Sequence, residues 1–484
     1  MTFNKTSTWS VDVSRLLLFI WISLFSQLSY ALELSPLSNK PYMGDLDVLK
    51  TKGTVRVLVS ADLGFYYIED GKPKGIVAEM LYHFEKSLRK KHPYLNVQII
   101  PVQRDDLLPS LESGYGDVAV ANLTITDKRL RTIDFSDPMI KDGKELIITG
   151  KKAEPITEIK QLSGKEVWIR ASSSYFESVQ RINKELNKLG LPPLHVHFIE
   201  ESLQDYELIE LVNQGYIQGT ILDSHKAKLW IDVMENIQVH HDLPLRENGQ
   251  IAWALRKNSP QLKKEINKYV KTARTGTLLG NVIYQKYIDN TRWLGRALNP
   301  NKIDRVAKLS DVFEKYSSKY EFDPLMMSAQ GFQESGLDQS RVSHRGAIGV
   351  MQVLPSTAKD KNVNIKNIHK VDNNIHAGVK YMRFIKDRYF DDPAISPDNQ
   401  IYFTLASYNA GPAKIRKMRR LAKQKGYNPN IWFKNVEIIT RKYVSKEPVT
   451  YVANINRYFV IYKQLQAINA IREDGTARLL NAND

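Results

Sequence analysis

Glu334 closes a stretch with helical spacing and stands in Gln333-Glu334-Ser335-Gly336. Upstream, Asp323 followed by Pro324 reads as an N-cap with proline at the first helical position, and Gly336 offers the left-handed stop. A helix is therefore predicted from Leu325 to about Glu334. Met327, Gly331 and Glu334 share one face of it, which sets the acid on the apolar side. A carboxyl held there is partly desolvated, so its pKa rises towards a value suited to giving a proton. The chemistry this predicts is general acid catalysis by one carboxyl, since the neighbouring acid, Asp338, reads as a turn residue. Taken alone, Glu334 reads more readily as a helix-end residue in a surface ion pair than as a catalytic acid. The blocks that follow it are what favour catalysis.

Those blocks are Gly346-Ala347-Ile348-Gly349-Val350-Met351-Gln352, Ala406-Ser407-Tyr408-Asn409-Ala410-Gly411 and Glu447-Pro448-Val449-Thr450-Tyr451-Val452. In this order after Glu334 they resemble the soluble-lytic-transglycosylase family, which has a goose-lysozyme-like helical fold and cuts the sugar strands of bacterial peptidoglycan. The resemblance implies a role for each residue. Glu334 is the catalytic acid, and Gly346 and Gly349 let the backbone turn tightly beneath the cleft. Met351 and Gln352 line that cleft, Ser343 positions an N-acetyl group, and the hydroxyl of Tyr408 reaches the acid with Asn409 beside it. Glu447 and Tyr451 close the site. This chain has Glu-Pro-Val-Thr-Tyr where the family more often has Glu-Thr-Arg-x-Tyr, a departure at Pro448 and Val449.

Ordinary glycosidases need two carboxyls across the scissile bond. The family motif supplies one. It implies that Glu334 protonates the leaving oxygen and then acts as base on the muramoyl 6-hydroxyl, which closes on its own anomeric carbon. The resemblance implies no metal or cofactor. A hydrolytic lysozyme, or a receptor whose lysozyme-like half only binds glycan, are the alternatives; the intact Glu334, Tyr408 and Asn409 argue against the receptor.

The first half of the chain is organised differently. Residues 53–60 read as a buried strand, Asp70-Gly71 as a hairpin turn, 76–84 as a helix and 97–102 as a second strand, a βαβ alternation that predicts an α/β domain. The run Thr124-Ile125-Thr126-Asp127-Lys128-Arg129 resembles the periplasmic solute-binding proteins for polar amino acids, and so do Leu162–Ile169, Ala171–Tyr175 and Gly219–Asp223. The resemblance implies two lobes around a cleft. Arg129 would grip a ligand carboxylate with its planar fork, together with Thr124 and the helix opening at Ser172, and Asp223 would take the amino group. The expected ligand is a wall-derived peptide or amino acid; Asp62-Leu63-Gly64 stands where the family usually stacks an aromatic on the ligand, so peptides are expected to bind better than single amino acids.

At 484 residues, 42% apolar and 25% charged, the chain is long enough for two to three folded domains. The expected architecture is an α/β two-lobed solute-binding fold over 45–292, a linker over 293–302 with its break at Leu298–Lys302, and a mainly α lysozyme-like domain over 303–465. Lys5 and Arg15 precede the apolar run 16–25, and Ser29-Tyr30-Ala31 ends in small residues, so 1–31 reads as a cleaved signal peptide. The chain has no cysteine, which excludes disulfides. A net charge of +16 on an exported chain suits an anionic wall or lipid surface rather than nucleic acid. Seven basic side chains in 414–425 form either a solvated helix face or a contact to such a surface. The module order resembles the membrane-bound murein transglycosylases. It implies a periplasmic protein, peripheral at the inner face of the outer membrane, acting on glycan strands.

Overall fold

In the computed structural model, which describes residues 40–294 and 305–481, the chain folds as an α/β module followed by a helical one. The expected leader and all but the first two residues of the expected linker lie outside the described residues. The α/β module is built on one twisted sheet. Its order is Asn96–Pro101, Thr54–Val59, Val118–Thr124, Arg246–Arg256, Ile140–Gly150, Gly219–Asp223, Glu166–Ile169 and His195–Phe198. Thr54–Val59 is buried along its whole length between parallel neighbours, which explains its unbroken apolar reading. Arg56 in its middle is fully buried because Asp117 holds it at 2.8 Å and the Tyr42 ring covers it. Two 11-residue antiparallel strands, Ile140–Gly150 and Arg246–Arg256, carry the sheet from the first lobe into the second.

The predicted hairpin forms between Tyr67–Glu69 and Lys72–Lys74. Asp70 and Gly71 both take positive φ (49° and 78°), as a tight two-residue hairpin turn requires.

The helical module packs Arg305–Tyr320, Pro324–Ser335, Val371–Tyr389, Pro397–Ala410, Pro412–Gln424 and Glu447–Asn481 around a core that includes Phe313, Met327, Met351, Phe390, Phe403 and Trp432. The last helix runs well beyond the expected domain end at 465. It also joins the two modules. Val460 is buried with Leu58, Ile100 and Ala121 of the first lobe, Arg457 meets Glu85 at 3.1 Å, and the Tyr462 hydroxyl donates to the carbonyl of Gly71 at 3.1 Å.

Candidate functional site

The helix that presents the acid spans Pro324–Ser335. The Asp323 side chain accepts from the Leu325 amide and Gly336 ends the helix at φ 73°, so the local capping signals set both limits. Gly331 is a close-approach position: a Cβ there would lie 2.9 Å from the Phe313 ring. Glu334, one turn on, is pressed against the last helix. Burial pushes its pKa up to about 7, against the opposing pulls of the Tyr451 hydroxyl and the Arg341 charge; Glu447 adds a smaller push upward.

Tyr451 donates to Glu334 Oε1 at 2.5 Å. Behind it, the fully buried Gln330 donates its amide Nε2 to the tyrosine oxygen at 3.3 Å. An amide N–H can only donate, so the tyrosine proton is directed at the carboxylate. Sequence reasoning missed Gln330; its place one turn before Glu334 on the same helix was the available signal.

The Tyr408 expectation is corrected. Its hydroxyl donates to the Met351 carbonyl at 2.7 Å, although it lies close enough to feel the Glu334 charge. The Met351 expectation is also corrected. Its side chain is 0% exposed and packs against Gly378, its amide donates to Asn374 Oδ1, and so it floors the loop from inside the core rather than lining a cleft. Gly346 and Gly349 hold φ near 77° in a loop pinned by bridges from Ile348 to Val342 and Val353. A Cβ at Gly349 would lie 2.5–2.7 Å from the Gln339 and Asn374 amides, so a larger residue would displace both and strain a backbone at φ 76°.

Ser343 spends its hydroxyl oxygen on the Ala347 amide at 2.9 Å, and Gln352 spends its Nε2 on the Arg341 and Gly349 carbonyls. Both therefore brace the loop. Asn409 is partly exposed at the end of Pro397–Ala410, and Glu447 is exposed at the start of the last helix. Pro448 and Val449 are buried, which accounts for apolar residues at those two positions. Asp338 accepts from the Ser340 amide and hydroxyl, a turn residue as expected.

In the first module the four expected ligand residues face one another across the lobes. Arg129 is buried and donates to the carbonyls of Thr124, at 2.8 Å, and Ser172, at 3.0 Å. Burial lowers its pKa to about 10. Asp223 accepts from Asn122 at 2.6 Å and from the Tyr175 hydroxyl at 3.0 Å. The amide and hydroxyl of Ser172 both donate to Glu201, so a carboxylate of the chain itself holds the helix opening. Lys226 crosses from the second lobe to Asp62 of the first, shares Asp205 with Arg170, and lies 4.5 Å from the Phe65 ring. Its three partners were beyond sequence reasoning. Between the lobes a cavity of about 20 Å³ lies among Ser60, Asp62, Arg104, Arg170, Glu201 and Asp205, room for about one water.

Fold and site together define a two-module protein of the lytic-transglycosylase class. Residues 55–290 match the family 3 bacterial extracellular solute-binding proteins and residues 311–431 match the transglycosylase SLT domain. Over most of its length the chain is a homologue of the proteins called membrane-bound lytic murein transglycosylase F. It is 28% identical to that of Desulfosudis oleivorans over 88% of this chain and 93% of the relative, and 27% identical to that of Pseudomonas putida over 86% of each. The first module is also similar to a solved ancestral arginine-binding protein bound to arginine (25% identity, TM-score 0.41, 49% of this chain and 98% of that one).

Proposed function

We propose that this protein is a peptidoglycan lytic transglycosylase with Glu334 as its only acid–base group. The observation that carries the reading is a carboxyl with a pKa of about 7, held by a tyrosine that donates to it. Such a group is protonated often enough to give a proton to the glycosidic oxygen, and basic enough afterwards to take one back. The leaving oxygen receives the Glu334 proton as the C1–O bond breaks. The carboxylate then removes the proton of the muramoyl 6-hydroxyl as that oxygen bonds to C1. Ring closure of this kind is fast because the nucleophile is already tethered in place. Asn409, partly exposed at the end of Pro397–Ala410, is assigned to the sugar, and so are Ser343 and Gln352, whose polar atoms also brace the glycine loop; Tyr451 is assigned to the acid itself.

The test is mass spectrometry of the products from purified wall. Anhydro ends weigh about 18 Da less than hydrolysed ends because no water is added. Predominance of reducing ends would make the protein a lysozyme-type hydrolase.

The first module is assigned a wall-derived peptide or amino acid. Lys226–Asp62 and the bond from Arg129 to the Ser172 carbonyl both cross between the lobes, so parting them to admit a ligand ties binding to opening of the lobes. Calorimetric titration of the full chain with stem peptides, against Arg129→Ala, tests this; equal heats from both proteins would remove the carboxylate clamp. The assigned location is the periplasmic side of a membrane, peripheral, at the inner face of the outer membrane. Among the described residues no helix is long and apolar enough to cross a membrane. On Pro412–Gln424 and the residue after it, Arg419 turns inward to Pro429 and Asn430, whereas Lys414, Arg416, Lys417, Arg420, Lys423 and Lys425 are exposed and suit an anionic surface.

A further inference from the structure

A groove of about 450 Å³ runs between the hairpin of the first module and the helix that carries the acid. One wall is Glu69, Asp70, Lys72 and Lys74; the other includes Gln333, Ser335 and Arg341. Phe332 and Tyr458 also border it, their rings perpendicular at 4.7 Å. The hairpin is fastened here. Tyr462 holds the Gly71 carbonyl, and Gly71 abuts Phe332 so closely that a Cβ would lie 2.7 Å from the ring. The groove therefore keeps its position relative to Glu334, two residues from Phe332. Arg341 belongs to both places: it lines the groove, is tied to the Ser335 carbonyl at 3.2 Å, and its charge acts on Glu334.

The charge on the walls indicates what would fit. Among the described residues, no ion pair within 4.0 Å ties Lys72, Lys74 or Arg341 to a carboxylate, although Arg341 is near enough for its charge to act on Glu334. Three such cations converging on one groove suit a ligand with more than one carboxylate. Its volume lies in the range of pockets that take a small peptide. A glycan strand lying across Glu334 carries a peptide of that chemistry on its lactyl group.

We propose that this groove binds the peptide stem of the strand being cut, so that a hairpin of the solute-binding module forms part of the substrate site. This rests on the lytic reading above and adds to it a preference for stem-bearing strands. It is separate from the cleft between the two lobes.

The experiment compares kcat/KM of the full-length protein on purified glycan strands bearing stems and on the same strands stripped by an amidase. The wild type is expected to prefer stem-bearing strands. In Lys72→Ala/Lys74→Ala that preference should fall by roughly three- to tenfold, the effect of losing two partly exposed ion pairs. Lys72→Arg/Lys74→Arg should keep it. Lys72 is exposed and Lys74 half-buried, and a melting curve verifies that each variant is folded. A wild type without preference, or an alanine variant with the wild-type preference, overturns the proposal. A wild type that cuts neither substrate overturns the lytic reading itself, and this inference with it.

Discussion

Tyr451 reaches Glu334 across 117 positions of sequence and donates to its carboxylate at 2.5 Å, while Tyr408, the tyrosine expected there, is bonded to the backbone of Met351. The two tyrosines thus have separable duties. One tunes the acid; the other ties the helix Pro397–Ala410 to the glycine loop.

Glu334→Gln should abolish clearance of purified peptidoglycan while the protein stays folded. Its effect on stability depends on pH. The wild-type carboxyl has a folded pKa of about 7, above the ordinary value of 4.5. Its favourable contribution is therefore complete below about pH 4.5 and lost as pH rises through 7. The glutamine variant lacks that loss. It should match the wild type near pH 4 and exceed it by about 1–3 kcal/mol at pH 8 in denaturant titrations. Residual clearance by the folded variant would reject Glu334 as the acid.

The rate should follow the protonated form, with kcat/KM falling above about pH 7. In Tyr451→Phe the carboxylate loses a donor that favours its charged form, so the limb should move to higher pH. The rate should drop roughly tenfold or more, the scale of one hydrogen bond to a charged group. Gln330→Met should move the limb in the same direction by less, because the hydroxyl remains but is no longer oriented. An unmoved limb in Tyr451→Phe would show that the bond does not govern the acid.

Tyr408→Phe leaves the buried Met351 carbonyl without its donor. A loss of about 1–2 kcal/mol in stability is expected, with the pH limb in place. A shifted limb would assign the acid to Tyr408 after all.

Lys226→Met should destabilise the first module by about 3–5 kcal/mol, since Asp62 and Asp205 are left facing one another in a buried cleft. Asp62→Asn in the same protein should restore part of it. Calorimetry of the full chain should show the loss in one transition, and an unchanged transition would mean that the pair does not latch the lobes.

Local chemistry alone determined much of this protein. The helix that ends at Glu334 was legible because Asp323, Pro324 and Gly336 act on backbone groups a few residues away. The Asp70-Gly71 hairpin was legible because few residues tolerate two successive positive φ values. The two modules were legible in the switch from strand alternation to helical spacing. Tertiary structure alone decided which partners meet. Met351 was expected in the cleft because the family resemblance implied it, yet packing against Gly378 turned it into the core. Tyr408 and Tyr451 are chemically alike in the sequence, and helix packing gave only one of them the acid. Lys226 finds Asp62 164 positions away, and the hairpin finds Phe332 through a fold-wide contact that no local pattern encodes. Backbone preferences act over a turn or two of chain, whereas the pairing of distant side chains depends on how whole helices and lobes pack.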